Sequence, residues 1–303
     1  MKKNKNKIKQ GMDDKVFGLI IKILVLVILV VTLYPLIYVF SMAISDPYRA
    51  AAGDVVLFPK GIDFTAIKTV LNDSQLYRYY YNTIWYTVVG TVLGVVVTML
   101  AAYPLSRNTF SAKGIVTIFF VLTMFLNAGL IPRYIVNVKF LHLYNTRWVL
   151  ILPALTGAWY ILVSRNFIKS LPEELFDCAK IDGATEFRLF RNVVMPLSKP
   201  ILAVLCVHFG VNYWNSYFAA TLYLSDKKLQ PLALYIRTVV IQNSVSAMGS
   251  DMGMDIDVSA ADILSKLQIQ YAVILIAVVP LLLMYPIFGK YLKKGLMVGS
   301  LKG

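Results

Sequence analysis

Six stretches of this sequence are apolar over a length that matches a lipid bilayer, and no other feature restricts the fold so strongly. A helix crossing the hydrocarbon core needs about 20 mostly apolar residues. The stretches run from about Val16 to Ile44, Thr83 to Tyr103, Gly114 to Val136, Trp148 to Val163, Pro200 to Leu224 and Ile269 to Phe288. The fourth is the weakest, broken by Pro153 and Gly157. Inside lipid only helices and closed barrels satisfy every backbone polar group, and runs of this length read as helices. Composition agrees: 58% of the 303 residues are hydrophobic and 15% charged, against about 45–50% and about 25% in soluble domains. The expectation is an all-α polytopic membrane protein with six transmembrane helices.

Four of the six stretches carry an internal proline or glycine break, among them Pro35, Pro280 and Pro286. Such breaks free backbone carbonyls and are tolerated beside neighbouring helices or a watery cavity, which suits a transporter better than a passive anchor. The first stretch has a basic start, but its apolar run exceeds the 7–15 residues of a signal peptide, so it reads as retained.

The net charge of +14 gives the orientation. With the N-terminus in the cytoplasm, segments 1–22, 104–114, 165–199 and 289–303 lie inside and carry 19 Lys and Arg against seven Asp and Glu. The outside loops, near 45–80, 133–147 and 225–268, carry 11 basic and nine acidic residues. This is the positive-inside asymmetry. Lys2, Lys3, Lys5, Lys7, Lys9 and the pair Lys293-Lys294 supply much of it. Nucleic acid would instead call for basic residues interleaved with exposed aromatics on one soluble face. Tyr77, Tyr79, Tyr80, Tyr81 and Trp85 gather where the second span meets the outer interface, as amphipathic rings favour the headgroup level. The resulting organisation is a basic cytoplasmic N-terminus over 1–15, a six-helix transmembrane domain over 16–292 and a cytoplasmic tail over 293–303.

Catalytic chemistry has little to work with. The only cysteines are Cys178 and Cys206, and the only histidines His142 and His208; their spacing fits neither a disulfide framework nor a zinc site. No nucleotide-binding glycine loop ending in Gly-Lys is present. The spans are almost free of carboxylates, which argues against a polytopic membrane enzyme. An ion-coupled secondary transporter is the alternative, but it calls for intramembrane ionisable residues and an internal repeat, and neither is apparent. No catalytic residue and no metal ligand is assigned.

The longest inside loop, 165–199, is patterned as structure. Ser170 and Glu173 have capping-box spacing, with Pro172 in the first turn. Leu175, Phe176 and Ala179 then share a helical face, Asp182-Gly183 breaks the helix, and a second short helix is expected from Ala184 to about Asn192, with Asp182 as its cap. Glu173, Glu174 and Asp177 make the first helix acidic. Anionic lipid attracts Lys and Arg, so an acidic face argues for a protein partner.

The stretch 174–200 resembles the cytoplasmic signature of ABC importer permeases, the EAA loop. That pattern is Glu-Ala-Ala, three residues, Gly, nine residues, Ile, one residue, Leu-Pro. This sequence keeps the spacing as Asp177-Cys178-Ala179, Gly183, Val193 and Met195-Pro196, with Ile181-Asp182-Gly183-Ala184 matching the family core. Tyr103-Pro104-Leu105-Ser106-Arg107, Thr123-Met124-Phe125, Gly129-Leu130-Ile131-Pro132 and Trp214-Asn215 are similar to segments of carbohydrate-uptake permeases. The resemblance is to the second, maltose-type permease, in the branch handling complex-sugar or pectin-type oligosaccharides. It implies the type I ABC importer fold, a multi-pass protein of the bacterial cell membrane, and half of a translocation path for a sugar or oligosaccharide. It also implies a partner permease, two ATPase subunits and an extracellular sugar-binding protein. ATP and Mg would then be held by the partner subunits, with no cofactor on this chain.

The same resemblance assigns contact with the ATPase to Glu173, Glu174, Asp177, Ala179, Asp182, Gly183, Ala184, Phe187 and Pro196. It assigns contact with the binding protein to the outside loop 225–268, notably Met248, Gly249, Asp251 and Met252. Asp251, Asp255 and Asp257 lack the spacing and closing glutamate of a calcium loop. Polar residues inside spans are costly in lipid and face cavities or partner helices. Asn127, Asn212 and Asn215 are therefore the expected substrate path, with Tyr213 and Trp214 as stacking faces.

Overall fold

The computed structural model describes residues 11–126, 128–251, 266–283, 286 and 289. The basic termini, Asn127 and Met252 fall outside that set. Among the described residues all regular structure is helical, apart from one isolated bridge between Ser45 and Ile62. Three helices are long and apolar enough to cross a membrane singly: Asp13–Ile44, Ser74–Ser106 and Lys266–Leu283. Three further candidates are helix pairs bent at a short break. The expected third span is bent by 116°, and the expected fourth by 51°. The remaining pair joins Glu186–Leu197 to Lys199–Trp214 at 80°.

The chain forms two compact units, drawn from 1–72 with 243–276 and from 73–242 with 277–303. In the first unit, α1 (Met12–Ile44) is apolar on all sides, with a mean hydropathy of 3.1 in its best window and none of that window buried within the chain. A helix apolar all round suits lipid or a partner helix. Its end is pinned by small polar side chains. Ser41 Oγ donates to the Leu57 carbonyl at 2.7 Å, Ser45 Oγ accepts from the Lys60 amide at 3.2 Å, and Gln268 Nε2 donates to the Ser45 carbonyl at 2.6 Å. The Asp46 carboxylate caps α2 (Pro47–Ala51) by accepting from the Tyr48 and Arg49 amides. Asp63 does the same at α3 (Thr65–Asn72), where the Thr65 hydroxyl and amide hold its carboxyl below the usual carboxylate range.

The second unit is built around α4 (Ser74–Ser106). It is followed by α5 (Lys113–Phe125), α6 (Leu130–Ile135), α7 (Trp148–Ile151) and α8 (Ala158–Lys169). Next come α9 (Glu174–Ile181), α10 (Glu186–Leu189), α11 (Met195–Leu197), α12 (Lys199–Trp214) and α13 (Tyr217–Tyr223). The last two helices, α14 (Leu232–Asp251) and α15 (Lys266–Leu283), are each divided between the two units, at 242/243 and 276/277. All of α14 lies within the stretch 225–268 read from sequence as an outside loop, so 232–251 is helical where a loop was expected.

α4 packs chiefly on α8 and α12. The crossing with α12 is close because Gly90 and Gly94 carry no side chain there. A Cβ at Gly90 would sit 2.5 Å from the Tyr213 ring, and one at Gly94 3.0 Å from Phe209. Small residues four apart are the usual device for such an approach in membrane helices. At the other end of the crossing, polar groups of α4 satisfy the turn before α14. Asn82 Nδ2 donates to the carbonyls of Lys228 and Gln230, Tyr86 Oη to that of Leu229, and Thr83 Oγ1 accepts from the Leu232 amide. The aromatic cluster thus divides. Tyr77 and Tyr81 are exposed, whereas Tyr79 is buried and stacks on Tyr235 with centroids 4.8 Å apart.

Gly90→Ala drives a methyl into a ring already fixed by its own hydroxyl contact. The expected loss is about 1–3 kcal/mol, the usual cost of overpacking. Thermal unfolding of the detergent-solubilised protein measures it, with Gly94→Ala losing less because its nearest ring atom is farther.

Candidate functional site

The segment between α8 and α12 folds back onto the end of α4. Two glycine and hydroxyl signals set its shape. Gly183 adopts φ +73°, and a Cβ there would meet nothing within 4 Å. The turn is therefore selected for backbone freedom alone. It lets the Gly183 amide reach the Lys180 carbonyl at 2.9 Å and the Ala184 amide reach the Ala179 carbonyl at 3.0 Å, which closes α9. α10 then starts at Thr185, whose hydroxyl accepts from the Arg188 amide at 3.4 Å. Thr185, not Asp182, is the cap of the second helix; Asp182 ends the first.

The expected capping box at Ser170 is likewise absent. Ser170 ends α8, and its hydroxyl donates back to the Phe167 carbonyl at 2.7 Å. Hydroxyls that bond their own preceding turn are lost to the next helix. The second helix is also shorter than expected: regular α geometry covers Glu186–Leu189, and Phe190–Val194 continues as a π turn before α11.

One side of this segment is buried. Phe176 is 2% exposed and lies beneath the Arg107 guanidinium, 4.0 Å from its ring centroid. Burial of a phenyl side chain contributes about 1.5–3 kcal/mol, and a cation over the ring adds about 0.5–1 kcal/mol. Leu189 and Val194 are buried in the same core, and Ala179, Ala184 and Phe190 pack against it. Tyr103 Oη donates to the Glu186 carboxylate. Arg165 Nε donates to the Leu105 carbonyl at 3.0 Å.

The other side is open. Glu173, Glu174, Asp177, Cys178, Asp182, Gly183 and Pro196 are exposed. Two large apolar side chains stand among them, Ile181 at 86% exposed and Phe187 at 68%. Leu175, expected to turn inward with Phe176 and Ala179, is also exposed. Lys180, Arg188 and Arg191 are exposed as well, so charges of both signs surround the projecting apolar groups, a mixed surface that suits a protein partner. Ala179 and Ala184 instead serve the inner face.

The polar residues expected to line a path separate into two sets. Asn212 and Asn215 are exposed and share a cavity of about 400 Å³ with Tyr160, Val207, His208 and Val211. Tyr213 and Trp214 do not offer stacking faces on this chain. Tyr213 is 1% exposed, packed on Gly90, and its hydroxyl donates to the Ile151 carbonyl at 3.3 Å. Trp214 is 7% exposed, with its ring edge-on to Tyr80. They occupy the inward side of α12, while positions 208, 212 and 215 share the outer side at helical spacing. The rings beside the asparagines are Tyr160 and His208, 5.9 Å apart, with Trp159 behind them at 5.8 Å from His208. Sequence reasoning passed over this trio; the signal for His208 was its place four residues before Asn212 and seven before Asn215. A larger cavity of about 610 Å³ beside α6, α7 and α13 is lined mostly by apolar groups, with Asn137 Nδ2 donating to Tyr223 Oη.

Asn127 and Met252 lie outside the described residues. Met248, Gly249 and Asp251 fall on the backbone of α14.

Residues 90–298 match the family described as "Binding-protein-dependent transport system inner membrane component". The chain is 30% identical over 292 residues to the polygalacturonan/rhamnogalacturonan transport system permease protein YtcP of Bacillus subtilis (strain 168), covering 96% of this chain and 100% of that one. It is 33% identical over 273 residues to protein LplC of the same organism, covering 90% of each. Its backbone is similar, with a TM-score of 0.82 and 29% identity, to a crystal structure of a bacterial ABC transporter involved in the import of the acidic polysaccharide alginate. The match covers 94% of this chain and 99% of that one.

Gly183→Ala should cost about 1–2 kcal/mol, the penalty for a side chain in the left-handed region, with no clash added. Hydrogen exchange at the Ala184 amide is expected to speed up about tenfold or more, whereas Gly183→Asn, better tolerated there, accelerates it less.

Proposed function

This chain belongs to the binding-protein-dependent transport system inner membrane component family, and from that membership we propose how it works within an ATP-driven importer. It is a transport subunit, not an enzyme, and hydrolysis of ATP belongs to separate subunits. Its cargo is a sugar or oligosaccharide, in keeping with the relatives named above. Because one relative is named for polygalacturonan and rhamnogalacturonan and the structural neighbour for alginate, uronate-bearing oligosaccharides are the first substrates to test.

The chain forms half of the path beside a second, different permease and crosses the bilayer six times. Both termini and the segment 165–199 face the cytoplasm. The observation that carries the coupling role is the two-sidedness of 174–194: rooted in the core through Phe176, Leu189 and Val194, and open outward through charged groups with Ile181 and Phe187. A short element rooted in a packed core moves as a unit with it. The outward side, including Glu173, Glu174, Asp177, Asp182 and Gly183, seats in the ATPase. Asp177 and Cys178 depart from the family's Glu-Ala, so the grip there differs in detail from the pattern.

The asparagine-lined cavity on α12 is the proposed sugar path of this half. Asn212 and Asn215 supply amide donors and acceptors for hydroxyls, and Tyr160 and His208 supply flat faces. Asn127, Tyr213 and Trp214 came to the same proposal from sequence, but the burial of the last two makes them supports of α12. The helix α14 and the residues after it are the proposed contact for the sugar-binding protein.

The test is uptake by the full complex in proteoliposomes containing ATP. Uptake should need ATP and the binding protein and should survive collapse of the proton gradient; uptake that follows the gradient alone would return the ion-coupled alternative. Gly183→Arg strains the turn and places a bulky cation on the exposed face, so it should leave the complex partly assembled while ATP hydrolysis no longer drives uptake. Normal transport by that variant would remove the coupling assignment.

A further inference from the structure

We propose that Tyr103 and Arg107 form a two-point latch that delivers motion of the segment 174–194 to α4. The inference rests on the coupling role proposed above and adds the route by which the motion travels.

Along the chain, the segment is poorly connected to the helix that follows it. α10 gives way to the π turn at Phe190–Val194, then to three residues of α11, and then to an 80° bend into α12. A π turn and a sharp bend are places where a helix yields. A push on α9 or α10 would be absorbed there before it moved α12 along its axis.

Through space, both halves of the segment fasten to one turn of α4. α9 is held by Phe176 under the Arg107 guanidinium at 4.0 Å. α10 is held by the Glu186 carboxylate, which accepts from Tyr103 Oη. The Tyr103 ring also packs on Phe190, with centroids 5.4 Å apart. Tyr103 lies in the last turn of α4, and Arg107 caps that turn, its amide donating to the Pro104 carbonyl at 3.1 Å. A hydrogen bond to an ionised acceptor is directional and about twice as strong as a neutral one, which lets it transmit a pull as well as a push.

Close packing is incomplete at this place, although Leu189 and Val194 share a buried core with α4. A cavity of about 410 Å³ opens between the end of α4 and α10, lined by Leu100, Pro104, Phe110 and Phe187 beside the latch residues. The latch supplies the directional contacts across this gap, beside the apolar burial of Leu189 and Val194. Farther along α4 the situation reverses: Gly90 and Gly94 bring it against α12 with no room for a methyl group. Motion received at Tyr103 and Arg107 must then move α12 and α8 with α4.

The test compares ATP hydrolysed per sugar transported in proteoliposomes holding the full complex. Tyr103→Phe keeps the ring on Phe190 and removes only the hydroxyl donor. Its ATPase subunits should still co-purify and hydrolyse ATP, but the ratio should rise by about fivefold, the lower end of ordinary coupling between two sites. Glu186→Gln keeps an acceptor for that hydroxyl and should fall between wild type and Tyr103→Phe. Arg107→Lys, which loses the planar group over Phe176, should raise the ratio independently. If these variants merely lower the melting temperature or the yield of complex while the ratio stays at the wild-type value, the latch is overturned. Gly183→Arg separates the two ideas. If it uncouples while Tyr103→Phe does not, the segment still couples but by another route; if it too transports normally, the coupling role itself falls.

Discussion

The approach of α4 to α12 at Gly90 and Gly94 is the contact on which the larger unit depends. In lipid there is no hydrophobic gain in bringing helices together, so association rests on close packing and buried polar contacts. Two absent side chains provide the packing, with Tyr213 and Phe209 filling the space they leave. Asn82, Thr83 and Tyr86 provide the polar contacts by closing the turn before α14. With α8 on another side, α4 becomes the spine around which the other helices are placed. The cost of this arrangement is that a side chain at either glycine must displace the facing ring, more at Gly90 than at Gly94.

The same spine explains why the proposed coupling segment can be short. Ten or so residues of interrupted helix would not hold a shape in isolation, because nucleating a helical turn is unfavourable. Here the shape is imposed from beneath by Phe176, Leu189 and Val194, and the turn at Gly183 joins the two halves. The exposed acids and the projecting Ile181 and Phe187 are then presented in a fixed arrangement. A partner that binds them meets little ordering cost, which is the usual advantage of a preorganised surface.

Much of this was legible in the sequence, and the misses have common causes. The apolar runs located the apolar helices, three of them long enough to cross a membrane singly, since length and hydrophobicity are conditions set by lipid itself. The bend of 116° in the third stretch was not legible, because Gly129 is only permissive for a turn; its φ of +76° shows that it is used. Gly183 was read as a turn and is one. The caps around it were misassigned, because Ser170, Asp182 and Thr185 all have suitable side chains and only geometry decides which faces an open amide. Tyr213 and Trp214 were misread for a related reason. An aromatic beside asparagines on one helix looks like a sugar platform until the helix is rotated into place. The inward side of α12 claims 213 and 214 and leaves 208, 212 and 215 outside.

That rotation also bears on how a path and a drive can share one helix. The cavity with Asn212, Asn215 and His208 lies on the outer side of α12, while its inner side is locked to α4 through Tyr213 and Phe209. A shift of α4 would therefore carry those asparagines with it, because Tyr213 on the inner side of the same helix packs on Gly90 and its hydroxyl is tied to Ile151. A polar lining that moves with the spine changes its exposure without changing its chemistry. That is the requirement alternating access makes on a site that must hold sugar in one state and release it in the next.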